Sequence, residues 1–342
     1  MRKHGPLTPL QQRSFQLLIP CQSRGSSAER TRSRGGMCGG PATWATLALT
    51  LSILCLSAAA AEAPDTCPVC RGIVVSVAGE VTADREGERR SVTVGFVLLE
   101  GDAILLKTGA RCTILAASGN VLRMDGPSEH RLVGPSEEEL ENPVAAWISR
   151  QIADWAGRLG ERMFITRAPL GDWRIEVDVP PQLVPAAGGS ARRSGVELVW
   201  GTIPGIGTYL VTLTSESGGA VSREVRGHRL EVDDLIEGEQ YVWDVEPSVN
   251  GWSADRAPRS FRVMTSEDEQ LLDLALDGMD DLEAGVLLLA AGRHEEAIPR
   301  FDSAARSDEN GRSARLWRAA ALSEVGLYAE AYEELRVLDV VR

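Results

Sequence analysis

Cysteines, histidines and paired carboxylates are the side chains with which this chain would do chemistry, and their spacing sorts them. Cys67-Pro-Val-Cys70 sets two thiols three positions apart, and Cys112 is the only later cysteine. In an oxidising compartment that spacing suits a short-range disulfide. A zinc site would need further ligands, drawn from His130, His228 and His294 in separate segments. A thioredoxin-like redox pair needs a strand and then a helix after the motif, and no such alternation follows. The expectation is a structural Cys67–Cys70 disulfide or idle thiols. Cys112 shares an alternating row with Ala110 and Ile114 and reads as core. Glu137–Glu139 and Asp280–Asp281 fit the acidic preference of helix starts better than acid–base catalysis. The chain has no phosphate-cradling glycine loop, His-Glu-x-x-His pair or nucleophile elbow. We therefore expect no catalytic, metal or cofactor site, and no enzyme.

The elements that would carry these residues are strand-rich first and helical last. Of 342 residues, 36 are Lys or Arg and 49 Asp or Glu, a net charge of −13. Residues 1–63 hold 7 of the basic and 2 of the acidic residues, which leaves the rest at −18. So acidic a body argues against nucleic acid and anionic lipid as partners, both being polyanions. Within 1–63, an Arg-rich region precedes the apolar run Trp44–Leu56 and the Ala-rich tail ending at Ala63. Those are the parts of a secretory signal peptide, cleaved after Ala61 or Ala63. An uncleaved signal anchor is the alternative, because 44–63 approaches the ~20 residues that span a bilayer.

From Gly72 to Val133 apolar and polar residues alternate, cut by Gly101-Asp102 and Ser118-Gly119-Asn120, which predicts short antiparallel strands. Gly95-x-x-Leu98-x-x-Gly101-Asp102-x-Ile104, then Thr108-Gly109-Ala110, Ser118-Gly119-Asn120 and Gly126-Pro127, resembles the FecR-type domain of bacterial envelope proteins. The resemblance assigns 70–134 to a β domain and implies no activity. In 135–179, Ser136-x-x-Glu139 is a capping-box signature and Pro143 suits a first helical turn. Val144, Ile148, Ile152, Trp155, Leu159 and Met163 then form one apolar stripe, widened by Trp147, that would pack on a sheet. Trp173–Val179 alternates as a strand.

Residues 180–265 carry turns about every ten residues between alternating strands, the pattern of a β-sandwich. The Pro180-Pro181 and 186–193 stretches mark a linker or an irregular first edge strand. Trp200 followed by Leu235-x-x-Gly238-x-x-Tyr241 is similar to fibronectin type III domains, in which those residues form the core and a loop corner. Trp252, with Tyr209 and Trp243, would make an aromatic glycan platform if exposed, although core packing accounts better for the latter two.

Beyond 266 the period changes to 3.6, with Ser266-x-x-Glu269 as the expected cap. Gly292-Arg-His-Glu-Glu-Ala297 recurs 34 residues later as Gly326-Leu-Tyr-Ala-Glu-Ala331, and Gly285 matches Ala319. This resembles the tetratricopeptide repeat, which makes 266–342 a set of all-α helical hairpins. Two repeats need cover from the helix around Leu271–Leu276, a second copy or a partner. The resemblance implies a partner-binding face at Leu282, Val286, Leu289, Leu316 and Ala320, for which intramolecular packing is the plainer account. Together these expectations describe a multidomain, exported, non-catalytic envelope adaptor for proteins or cell wall. The alternatives are a membrane-anchored FecR-like signal relay and a polysaccharide-binding protein that uses Trp252.

Overall fold

The computed structural model of the chain describes residues 70–133, 136, 139, 141–161, 182–193, 195–248, 258–307 and 310–338. All of them fall within one compact unit, residues 61–342. The apolar run at 44–56, Cys67, Trp173 and Trp252 lie outside the described residues, as do the predictions that rest on them.

The first β region has eight strands: β1 (Cys70–Ala78), β2 (Val81–Arg85), β3 (Glu88–Ser91), β4 (Val97–Leu99), β5 (Ala103–Leu106), β6 (Arg111–Ala116), β7 (Val121–Asp125) and β8 (Ser128–Arg131). They form two antiparallel sheets, ordered β4-β1-β6-β7 and β3-β2-β5-β8. Val74, Leu98, Ile104, Cys112 and Ile114 are buried between the sheets, so Cys112 is core as expected. The other face of β1 and β6 differs from the sequence expectation. Alternation predicts water there, yet Ile73, Val75 and Leu115 are fully buried against helices. A strand covered on both faces reads as a continuous apolar run, as Ile73-Val74-Val75 does.

Helix α1 (Pro143–Glu161) begins at the proline, whose missing N–H costs nothing in a first turn. The expected capping box is present. Ser136 and Glu139 bond reciprocally one turn upstream, while the Asn142 side chain accepts the Val144 N–H at 3.0 Å. Trp147, Ile148, Ile152 and Trp155 are buried. They pack on β1 and also into the C-terminal helices.

The second β region comprises β9 (Gln182–Val184), β10 (Gly189–Ala191), β11 (Val196–Trp200), β12 (Thr208–Ser215), β13 (Ala220–Arg226), β14 (Arg229–Val232), β15 (Gln240–Pro247) and β16 (Arg259–Val263). A five-stranded sheet, β10-β16-β15-β12-β13, accompanies a three-stranded sheet, β14-β11-β9. β10 runs parallel to β16 and the other pairs are antiparallel. The 186–193 stretch is thus an edge strand and no linker. Trp200, Tyr209, Trp243 and Phe261 fill the core, so Tyr209 and Trp243 offer no exposed platform.

The C-terminal region is helical: α2 (Ser266–Leu276), α3 (Asp281–Ala290), α4 (His294–Ala304), α5 (Gly311–Val325) and α6 (Tyr328–Val337). The cap of α2 is Thr265, one residue before the expected serine, and its side chain accepts from the Asp268 N–H. Asp280 and Glu283 form a full capping box on α3. Gly285 lets α3 and α4 approach closely: a Cβ there would lie 2.5 Å from the Phe301 ring. Ala297, Phe301, Ala314 and Trp317 close the hairpins into the same core as α1 and β1.

Candidate functional site

The polar residues of the sequence motifs are engaged in internal structure. Asp102 is 1% exposed. It accepts both Arg85 Nε at 2.8 Å and Arg85 Nη2 at 2.7 Å, and the Leu99 N–H at 2.9 Å. The Gly101-Asp102 pair therefore closes a turn and neutralises a cation that also lies over the Phe96 ring. Gly119 has φ of +85°, and a Cβ there would meet Ile148 Cδ1 at 2.6 Å. That glycine is where α1 rests on the β6–β7 hairpin. Cys70 is buried at the start of β1 with its Sγ 3.8 Å from the Gly72 carbonyl. Burial pushes the Cys112 thiol up to about 12, which removes it from thiolate chemistry at ordinary pH.

The expected partner-binding face of the hairpins is corrected by the structure. Leu282, Val286 and Leu289 are buried in the core shared with α1 and β1, and Ala320 is partly buried against that core. Leu316 packs partly buried on the smaller cluster of Ala319, Leu322, Ala331 and Leu335. The chain's own sheet and α1 cover Leu282, Val286 and Leu289. His130 and His228 are exposed, whereas His294 is buried at the first turn of α4 beside the Gly292 carbonyl, 3.0 Å away.

The helices are joined to both β regions by directed polar contacts that no local signal announces. Trp317 Nε1 donates to the Val75 carbonyl at 2.9 Å. Arg123 on β7 pairs with the buried Glu283 and reaches Asp280 at 3.7 Å. Burial holds the Glu283 carboxyl above its usual range despite that partner. On the sandwich side, the Ser190 N–H donates to the Gly292 carbonyl at 3.1 Å and Arg293 Nη1 to the Ser190 carbonyl at 2.7 Å. Arg192 bridges Asp273 at 2.8 Å and Glu296 at 3.2 Å. His294 lies against this joint, 3.5 Å from where a Cβ on Gly189 would be. Burial and the cations Arg158, Arg293 and Arg259 lower its pKa to about 4.

Where α1, β10, β16 and the ends of α2 and α3 meet, a cleft of about 460 Å³ opens. Trp147, Val263, Met264, Ala290 and Ala291 supply its apolar wall, and Gln151, Asp154, Arg158, Arg262 and Asp268 its polar groups. Trp147 Nε1 donates to Asp268 Oδ1 at 3.0 Å, which fixes the indole at the wall. The sequence does not disclose this cleft, because Arg158 there reads as one more charge on a solvated helix face. Among the described residues no group of three or more His, Cys, Asp or Glu converges as a metal site. No described helix is long and apolar enough to cross a membrane.

Comparison with known proteins adds little. No family model and no curated protein matches the chain. A solved structure described as a cell surface anchoring domain is 22% identical, over 19% of this chain and 86% of that one, with a TM-score of 0.18. A likeness that slight supports no inference about fold or role.

Proposed function

We propose that the protein is a non-catalytic, exported adaptor of the cell envelope, built from a FecR-type domain, a fibronectin type III-like sandwich and tetratricopeptide hairpins. Several features support the family readings. In the FecR-like motif Gly95, Gly101, Gly109 and Gly119 take positive φ, and Gly119 and Gly126 sit where a Cβ would clash with Ile148 and Lys107. In the sandwich, the Ile236 N–H donates to the Tyr241 hydroxyl at 2.9 Å, the bond expected of a tyrosine corner. In the hairpins, Gly285 and Ala319 occupy equivalent small-residue positions, both buried or in close contact.

One observation carries the adaptor role: the outward side of α6 keeps Tyr332 and Val337 exposed, at 38% and 58%. Repeats bury their faces by stacking, so this is the side on which a protein partner would add. Chemical cross-linking of the envelope fraction tests it, comparing the natural chain with a Tyr332→Glu, Val337→Glu variant. Loss of the cross-linked species at an unchanged melting temperature is expected. Identical cross-links from both proteins would remove the basis of the reading. Terminal sequencing of the same material tests export, with a mature start near Glu62 or Pro64 expected.

A further inference from the structure

The cleft between α1 and the sandwich edge holds two guanidinium groups that form no close ion pair with a described carboxylate, Glu324 and Asp154 acting on Arg158 only from a distance. Arg158 donates from Nη1 to the Gly188 carbonyl at 3.0 Å and from Nη2 to the Ala290 carbonyl at 3.3 Å. Arg262 donates from Nε to the Gly238 carbonyl at 3.0 Å. Neither meets a carboxylate within 4 Å among the described residues, whereas Arg85, Arg123, Arg192 and Arg293 each do. Each keeps N–H donors that no acceptor among the described residues takes. Gln151 is half-buried in the same cleft, with its amide unengaged by any described group.

Arg158 is reached by solvent yet crowded enough for desolvation to lower its pKa. A crowded, accessible cation with no carboxylate in hydrogen-bonding reach is the arrangement that a bound anion stabilises, because the charge-assisted bonds replace lost hydration. Guanidinium forks match the planar carboxylate bidentately. Asp154, exposed at the rim, and Asp268, bonded to Trp147 and to the Thr265 hydroxyl, would repel a multiply charged anion such as phosphate. They would accept an ammonium group instead. The wall of Trp147, Met264 and Ala291 suits an aliphatic body, and about 460 Å³ falls within the roughly 300–1,000 Å³ of small-ligand sites.

We propose that this cleft binds the free terminal carboxylate of a short, uncharged-side-chain peptide, with Arg158 and Arg262 on the carboxylate and the Trp147–Met264 wall on its last side chain. The assignment stands on the cleft alone and does not require the adaptor role.

The Trp147 indole N–H resonance, assigned with a Trp147→Phe variant, reports occupancy of the cleft in the full chain. Titration with glycyl-leucine shifts it saturably, while glycyl-leucinamide binds at least about tenfold more weakly, since it lacks the charge that the arginines take. Arg262→Gln, which gives up only the bond to Gly238, weakens glycyl-leucine about tenfold at an unchanged melting temperature. Arg158→Gln abolishes the shift. Equal affinity for the amide overturns the proposal, as does an inorganic phosphate affinity that matches the dipeptide. So does unaltered binding in the Arg262→Gln variant, or no shift at about 20 mM glycyl-leucine, which is weaker than specific recognition allows.

Discussion

Asp102 and His294 illustrate how burial changes what a side chain does. Asp102 satisfies three donors from inside the first β region, so Asp102→Ala removes the carboxylate that takes two Arg85 bonds and the Leu99 N–H. Breaking a buried pair from one side costs on the order of 3 kcal/mol, and urea denaturation of Asp102→Ala against the natural chain will read that loss. His294 behaves in the opposite way, as a neutral ring kept from its proton by burial and three arginines. Its folded pKa of about 4 lies below the ordinary 6.5, so the unfolded chain takes up the proton first. The stability it contributes is complete above about pH 6.5 and is lost as the pH falls toward 4, by about 2 kcal/mol at pH 5 and about 3 kcal/mol in full. Glu283 and Glu295, held above the usual range mainly by burial, act in the other sense at lower pH. The informative measurement is therefore the difference in stability between the natural chain and His294→Gln from pH 7 to 5. It shrinks on acidification if the ring is buried neutral, and parallel curves would refute this.

At the scale of elements, close approach is bought with small residues, and the consequences are specific. Gly285 in α3 sits under Phe301 of α4. Gly285→Ala therefore forces the ring aside and destabilises by about 1–3 kcal/mol, the usual cost of overpacking. Trp317 joins α5 to α4 by stacking near Phe301, with ring centroids 6.4 Å apart, and to β1 by its bond to the Val75 carbonyl. Trp317→Phe keeps most of the apolar volume but leaves that carbonyl unpaired, at a cost of about 1–3 kcal/mol. Trp317→Ala adds a cavity and costs about 3–5 kcal/mol. Thermal melts of the two variants separate packing from hydrogen bonding, and an unchanged melting temperature in Trp317→Phe would mean that the bond contributes nothing. Much of this level was legible in the sequence. The Ile148–Ile152–Trp155 stripe, the 34-residue spacing of the hairpins and the turn glycines all mark real elements, because they follow from backbone geometry and local periodicity. Cap positions were less legible: Thr265 takes the role expected of Ser266, and Asn142 adds a cap beyond the Ser136–Glu139 box, since several nearby oxygens compete and tertiary packing chooses among them.

Over the whole molecule, the first β region, α1 and the C-terminal helices share one core, while the sandwich keeps its own. Removal of 266–342 therefore exposes Ile73, Val75, Leu115 and the buried stripe of α1 to water. At roughly 25 cal/mol per Å² of apolar surface, that exposure is expected to unfold the first β region or drive it to aggregate. The sandwich, with Trp200, Tyr209, Trp243 and Phe261 in its own core, should retain its structure. Limited proteolysis of the truncated chain with near-ultraviolet circular dichroism checks this. A stable 70–133 fragment would show that the shared core is dispensable.

The amino-acid sequence by itself determined the elements of this protein and their classes: strands where apolar residues alternate, helices where they recur every three or four, turns at glycine. Those depend on interactions between near neighbours. It also placed Trp200, Tyr209, Trp243 and Cys112 in cores. Only the tertiary structure decided which faces meet. It covered the second face of β1 with helices, buried Leu282, Val286 and Leu289 against the chain's own sheet, and buried His294 at a joint. It also brought Arg158 and Arg262 to one cleft from segments about 100 residues apart. Periodicity states that a face is apolar, but what covers that face is set by packing between distant segments, which no local pattern encodes.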